Sequence, residues 1–272
     1  MEKLKFLART IDDAIVKDGL CAVSALEGRD PTKEQYMVVG GMAVQSYLPS
    51  MCRRSTSDID LCIRRPLNYE DFKTFSQDVR AWLEDNGYSV STRKYNTHFS
   101  LQAEKENGGL VIEFSRRNQK AFDKAQQRLE REFGNGRKKR VEERGAIYTV
   151  ASPEDIVVPK LVRSVNSIRR NPDLGELINE FEGNLSDIKV QLLLRDINDL
   201  REDAVYNPGD PDKAERLRLV SDSYDIRILS ELTGFQIPYL ERAIRDWDSI
   251  DKNELVVKRL LSVMLPMLIS GR

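Results

Sequence analysis

Two aspartates one residue apart, Asp58 and Asp60, interrupt an apolar run, Asp58-Ile59-Asp60-Leu61, downstream of a glycine pair, Gly40-Gly41. In a strand, side chains two positions apart leave the same face, so these carboxylates stand side by side. As anions they repel each other unless positive charge lies between them. Hard oxygen ligands suit Mg²⁺, and a pair of such ions holds both the attacking and the leaving oxygens of a phosphoryl or nucleotidyl transfer. Gly40 and Gly41 lack Cβ atoms, so the backbone can turn sharply and bring its N–H groups to phosphate oxygens at a helix start. The residue types point to handling of a nucleoside triphosphate.

The elements that must position these groups are readable on either side. Residues 36–39 (YMVV) read as a strand, and a helix follows from Met42 to about Leu48, stopped by Pro49. A polar crossing, SMCRRSTS, leads into the aspartate strand. Asn68 caps a predicted helix, YEDFKTFSQDVRAWLEDN, whose stripe of Phe72, Phe75, Val79, Trp82 and Leu83 is core and which Gly87 ends. Three strands are expected next (YSVSTRKY, THFSLQAEK and LVIEFSRR), the last two joined through the hairpin signal Asn107-Gly108-Gly109. Glu113 sits between Ile112 and Phe114, where a carboxylate needs a partner, and an ion pair with Arg116 or Arg117 at a sheet edge would supply one. An amphipathic helix on Leu4, Leu7, Ile11 and Ile15 is expected to pack on the sheet. Residues 119–144 are strongly charged and end in a basic loop, which reads equally as a phosphate contact or a solvated hairpin. AIYTVAS returns as a strand.

Ser152-Pro153-Glu154-Asp155 has the chemistry of a helix start, with hydroxyl cap, proline and first-turn acids. That helix runs through Val157, Leu161, Val165 and Ile168, with a bend or a later start expected at Pro159. A further helix carries Leu185, Ile188, Leu192, Ile197 and Leu200 as its apolar face. Four more helical segments are expected after the turn-rich 207–212, at about 212–221, 223–232, 237–246 and 251–269. The fold class is therefore α+β: a mixed sheet flanked by helices over residues 1–151, then a mostly helical domain over 152–272 that contributes to the site cleft.

Val39-Gly40-Gly41, a spacer, and Asp58-Ile59-Asp60-Leu61 together resemble the catalytic signature of the DNA polymerase β-like nucleotidyltransferase superfamily. With Arg54 and Thr56 ahead of the aspartates, the pattern looks like the AbiEii-type toxin branch. SPEDIVVPKL resembles that branch's second motif and Arg195-Asp196-x-x-Asp199-Leu200 its later one, so the resemblance spans roughly residues 36–200. It implies an N-terminal nucleotidyltransferase domain in which Asp58, Asp60 and Glu113 hold two Mg²⁺ ions, with Mn²⁺ as an alternative. Gly40, Gly41, Arg54 and Thr56 would bind the nucleotide, and Lys160 would meet its phosphates, with Lys189 as the other candidate. Asp196 would be catalytic or would support the site; its other reading is a surface acid pair. The implied partners are an NTP, an RNA acceptor such as a tRNA end, and a protein antitoxin. A small-molecule nucleotidyltransferase and a catalytically silent nucleotide-binding module are the alternatives.

Composition bounds these readings. The chain has 272 residues, enough for one large or two modest domains with real cores. Lys and Arg number 43 against 44 Asp and Glu, so the chain as a whole is no polyelectrolyte partner for nucleic acid. Three cysteines form neither an even framework nor a CxxC pair, which fits a reducing compartment. A lone histidine, His98, speaks against zinc. No apolar run has membrane-spanning length and the N-terminus lacks a signal-peptide core, so a cytoplasmic protein with no membrane partner is expected.

Overall fold

The structure, a computed structural model, describes residues 13–27, 35–56, 58–106, 108–143, 145–206, 209–247, 250–251 and 254–266. The expected helix positions Leu4, Leu7 and Ile11, the hairpin residue Asn107 and the end of the last expected helix, 267–269, lie outside them. The chain forms two compact units, Met1–Ser46 with Ser55–Ser152, and Tyr47–Arg54 with Pro153–Arg272.

In the first unit the elements run α1 (Ala14–Ser24), β1 (Tyr36–Val39), α2 (Gly40–Gln45), β2 (Asp58–Ile63), α3 (Tyr69–Phe75), α4 (Gln77–Asp85), β3 (Ser89–Lys94), β4 (His98–Lys105), β5 (Gly108–Ser115), α5 (Gln119–Gly134), β6 (Lys139–Glu143) and β7 (Ala146–Val150). The seven strands make one mixed sheet in the order β3-β4-β5-β2-β1-β7-β6. β2 pairs parallel with β5 and β1 parallel with β7, and the other neighbours are antiparallel.

The alternation of β2 and β5 decides which face of the sheet is core. Ile59, Leu61, Ile112 and Phe114 are buried, whereas Asp58, Asp60, Val111 and Glu113 are half-buried on the opposite face. α1 closes onto the apolar face so tightly that a Cβ on Gly19 would come within 2.7 Å of the Ile59 side chain. Phe72 stacks on Phe99 at 4.9 Å and meets Phe114 edge-on at 5.3 Å, an aromatic cluster that anchors α3 to β4 and β5. The edge strands β3 and β6 carry mostly exposed polar and charged residues, which discourages pairing with another chain.

The helix expected after Asn68 is two helices. Asn68 caps the first, its side chain accepting from Asp71 N at 2.9 Å. At Ser76 the hydroxyl competes for the Phe72 carbonyl, donating to it at 2.8 Å, and the chain re-aims into α4. Phe72, Phe75, Val79 and Leu83 are core as expected, while Trp82 is only half-buried.

The second unit begins with a 3₁₀ turn at Ser50–Cys52. It continues as α6 (Pro153–Arg170), a 3₁₀ segment (Pro172–Phe181), α7 (Asp187–Tyr206), α8 (Pro211–Thr233), α9 (Ile237–Arg245) and α10 (Leu255–Met264). α6 packs against the 3₁₀ segment, α8, α9 and α10. It runs through Pro159 without interruption. Its first-turn acids pin α9: Glu154 accepts from the Gln236 N–H at 2.7 Å, and the Tyr239 hydroxyl donates to Asp155 at 2.7 Å.

Two helix readings change. α7 buries Val190, Leu193, Leu194 and Ile197, an i, i+3, i+4, i+7 stripe, and leaves Ile188 and Leu192 exposed. The run Leu192-Leu193-Leu194 satisfies both registers, which is why periodicity alone selected the wrong one. The two helices expected either side of Asp222 are one, α8, because Asp222 and Asp225 are buried and paired within the unit rather than breaking the helix.

Candidate metal centre

β2 and β5 set the acids. Asp60 lies opposite Glu113 in the parallel register and Asp58 opposite Val111, so all three carboxylates leave one face of the sheet. One oxygen from each lies within 4.8 Å of the others, and all three side chains are partly exposed. Three hard oxygen donors, close together and reachable from solvent, fit Mg²⁺ or Mn²⁺. Arg116 and Arg117, the alternative partners for Glu113, hydrogen-bond the Tyr95 and Ile63 carbonyls.

Gly40 is what lets Asp60 stand there. Its φ is +69°, and a Cβ on it would fall 1.8 Å from Asp60 Oδ2, so the carboxylate occupies the space a side chain would need. Gly40→Ala is therefore expected to displace Asp60 as well as strain the backbone by about 1–2 kcal/mol. Divalent-metal affinity should fall on the order of 10²-fold, while the melting temperature drops only a few degrees. Calorimetric titration and a thermal melt on one preparation separate the two effects.

Beside Glu113 lies His98, whose Nε2 is 3.3 Å from Glu113 Oε1. Burial lowers its pKa and Asp58 pulls it partly back, leaving it below the ordinary value.

The cations expected at the phosphates are placed in the second unit and buried. Arg54, 7% exposed, donates from Nε to Asp225 Oδ1 at 2.8 Å and from a terminal nitrogen to Oδ2. Lys160, 2% exposed, lies 2.9 Å from Asp222 and 2.8 Å from Asp225. Arg163, one turn on, shares Asp222 with it at 2.9 Å. Burial pushes the Asp222 carboxyl up, but Lys160 and Arg163 outweigh it and hold the group below the usual carboxylate range. A depressed folded-state pKa adds stability that is present above the unfolded value, about 4, and is lost as pH falls through the folded one. Wild-type urea midpoints should thus fall steeply below about pH 4, and Asp222→Asn should flatten that limb while lowering the midpoint at neutral pH.

Asp196 stands exposed on α7 beside Arg195, and the carboxylates that Lys160 meets, Asp222 and Asp225, are on α8. Lys189 donates to the Glu182 carbonyl at 2.6 Å. Thr56 is buried in an isolated bridge ahead of β2, and Gly41 lies in the first turn of α2. The sequence reading missed Asp222 and Asp225, which repeat the Asp-x-x-Asp spacing of 196 and 199 but follow serine rather than a cation. Their signal was a cluster of polar residues, Ser221 to Asp225, inside a helix otherwise rich in apolar side chains.

Comparison with protein-family models finds no match, and comparison with curated proteins finds none. Among solved structures, the crystal structure of an antigenic nucleotidyltransferase-like protein from Paracoccidioides brasiliensis aligns over 92% of this chain and 97% of that one. The TM-score is 0.38 and the sequence identity 13%. What bears on function is the geometry of the acids themselves. No helix among the described residues is long and apolar enough to cross a membrane.

Proposed function

We propose that this protein is a metal-dependent nucleotidyltransferase that moves the nucleoside monophosphate of an NTP to an acceptor hydroxyl, releasing pyrophosphate. The observation that carries the reading is the convergence of Asp58, Asp60 and Glu113 on one sheet face above the Gly40 turn. Mg²⁺ held by these three carboxylates would neutralise charge on the triphosphate and favour ionisation of the acceptor hydroxyl. The chain's own contribution is preorganisation. Adjacent strands fix the carboxylates before substrate arrives, Gly40 leaves room for Asp60, and Gly41 leaves backbone N–H groups open to close phosphate approach. Arg54, Thr56 and Lys160 are given no substrate contact in this chemistry because all three are buried, and Asp196, exposed on α7, is given none either.

The acceptor we propose is RNA, by resemblance of GGMAV and Arg54-x-Thr56-x-Asp58-Ile59-Asp60 to the AbiEii-type toxins, with a protein antitoxin as partner. A small-molecule acceptor is the second reading. It is favoured by the near-zero net charge and by the basic 134–145 stretch, where Lys138 and Lys139 donate to the Phe133 and Ser46 carbonyls and Arg140 faces Glu27. Incubation with Mg²⁺, each labelled NTP, and either total RNA or a panel of hydroxyl-bearing small molecules separates the two. Labelled RNA supports the first reading and a labelled small molecule the second. No metal-dependent labelling in either arm defeats the enzyme.

A further inference from the structure

Resting on the metal-binding reading, we infer that His98 is a positioning residue that holds Glu113 in its metal-binding orientation. It is the sole histidine in the chain. β4 pairs His98 with Ser115, two residues along β5 from Glu113, so imidazole and carboxylate share the sheet face that carries Asp58 and Asp60. Diagonal neighbours of this kind are within reach of long side chains.

The ring is fixed from two sides. It stacks on Tyr95 with centroids 4.4 Å apart and 25° between planes, and Thr97 Oγ1 lies 3.1 Å from Nδ1. The Tyr95 N–H donates to the His98 carbonyl at 2.9 Å, closing the turn that carries both rings. A threonine hydroxyl donating to Nδ1 would place the ring proton on Nε2, which faces Glu113 Oε1 at 3.3 Å, and we take this tautomer as the one the pairing requires. The opposite tautomer would aim a lone pair at the carboxylate. Held at Oε1 by an N–H, the carboxylate is restrained in swinging away from the neighbouring acids, to which one of its oxygens lies within 4.8 Å. Groups that orient a ligating side chain in this way change metal affinity by about 10- to 100-fold.

The test uses Mn²⁺ alone as probe, without nucleotide, on the full chain. The wild type has a single imidazole Cε1–H resonance, which substoichiometric Mn²⁺ should broaden. Mn²⁺ affinity, from the electron paramagnetic resonance signal of the free ion, should weaken about 10- to 100-fold in His98→Ala. It should recover largely in His98→Gln, whose amide N–H replaces the ring donor. Equal affinity in wild type and His98→Ala, with binding lost in Asp58→Asn/Asp60→Asn, overturns the positioning role and leaves the metal site standing. Binding in His98→Gln as weak as in His98→Ala assigns the loss to ring packing and also overturns it. If wild type binds no Mn²⁺, or the double aspartate variant binds it equally well, both the inference and the metal reading fail. Should His98→Ala not fold, an imidazole resonance untouched by Mn²⁺ is enough to reject the inference.

Discussion

Replacing Asp58 and Asp60 together by asparagine is expected to cut Mg²⁺-dependent transfer by roughly three orders of magnitude or more. Under the proposed function, losing both carboxylates as metal ligands removes several kcal/mol of transition-state stabilisation, and each ~1.4 kcal/mol is tenfold in rate. The same substitution should leave the melting temperature unchanged or raise it. The acids stand on the half-buried face, pressed within 4.8 Å of one another, and contribute nothing to the apolar core beneath. Sites that crowd like charges give up stability for function. Activity and thermal stability should therefore move independently. A variant that loses both would mean that the aspartates are structural.

Asp225→Ala should have the largest effect on stability. Asp225 is wholly buried and takes charge from Arg54 and Lys160, themselves 7% and 2% exposed. Removing it strands buried cations, a change that costs about 3–5 kcal/mol. The melting temperature should fall on the order of 10 °C. Asp196→Ala is the matched control, because Asp196 is 53% exposed and its neighbour Arg195 is 66% exposed. There the change should stay within about half a kcal/mol. Urea unfolding of the two variants side by side measures the contrast. Equal midpoints would show that the α6–α8 ion cluster does not hold the second unit together.

The acid cluster was legible because it is written in local pattern. An Asp-x-Asp within an apolar run fixes two carboxylates on one face, and a lone Glu113 between Ile112 and Phe114 announces itself as a third. That β5 lies beside β2 was not legible, since the parallel pairing spans a long crossover that no short window contains. Gly40 was singled out for phosphate approach, yet its firmest constraint is the carboxylate of Asp60 packed where a Cβ would be. Lys160 is picked out by its motif as a phosphate contact, whereas its carboxylate partners on α8 lie 62 and 65 residues away, beyond any local pattern. Asp-x-x-Asp spacing recurs in the sequence, and burial separates the exposed pair on α7 from the one on α8. His98 entered the sequence reading only as an argument against zinc. Its place beside Glu113 depends on the β4–β5 register, which spacing within one strand does not reveal.

The central claim is that Asp58, Asp60 and Glu113 share a divalent cation. Anomalous scattering from crystals grown with Mn²⁺ and a non-hydrolysable NTP analogue tests it most directly. A peak bonded to oxygens of all three carboxylates, with the analogue's phosphates on its open side, is the result expected. Mn²⁺ bound elsewhere, or the three carboxylates turned apart with no peak between them, would contradict it.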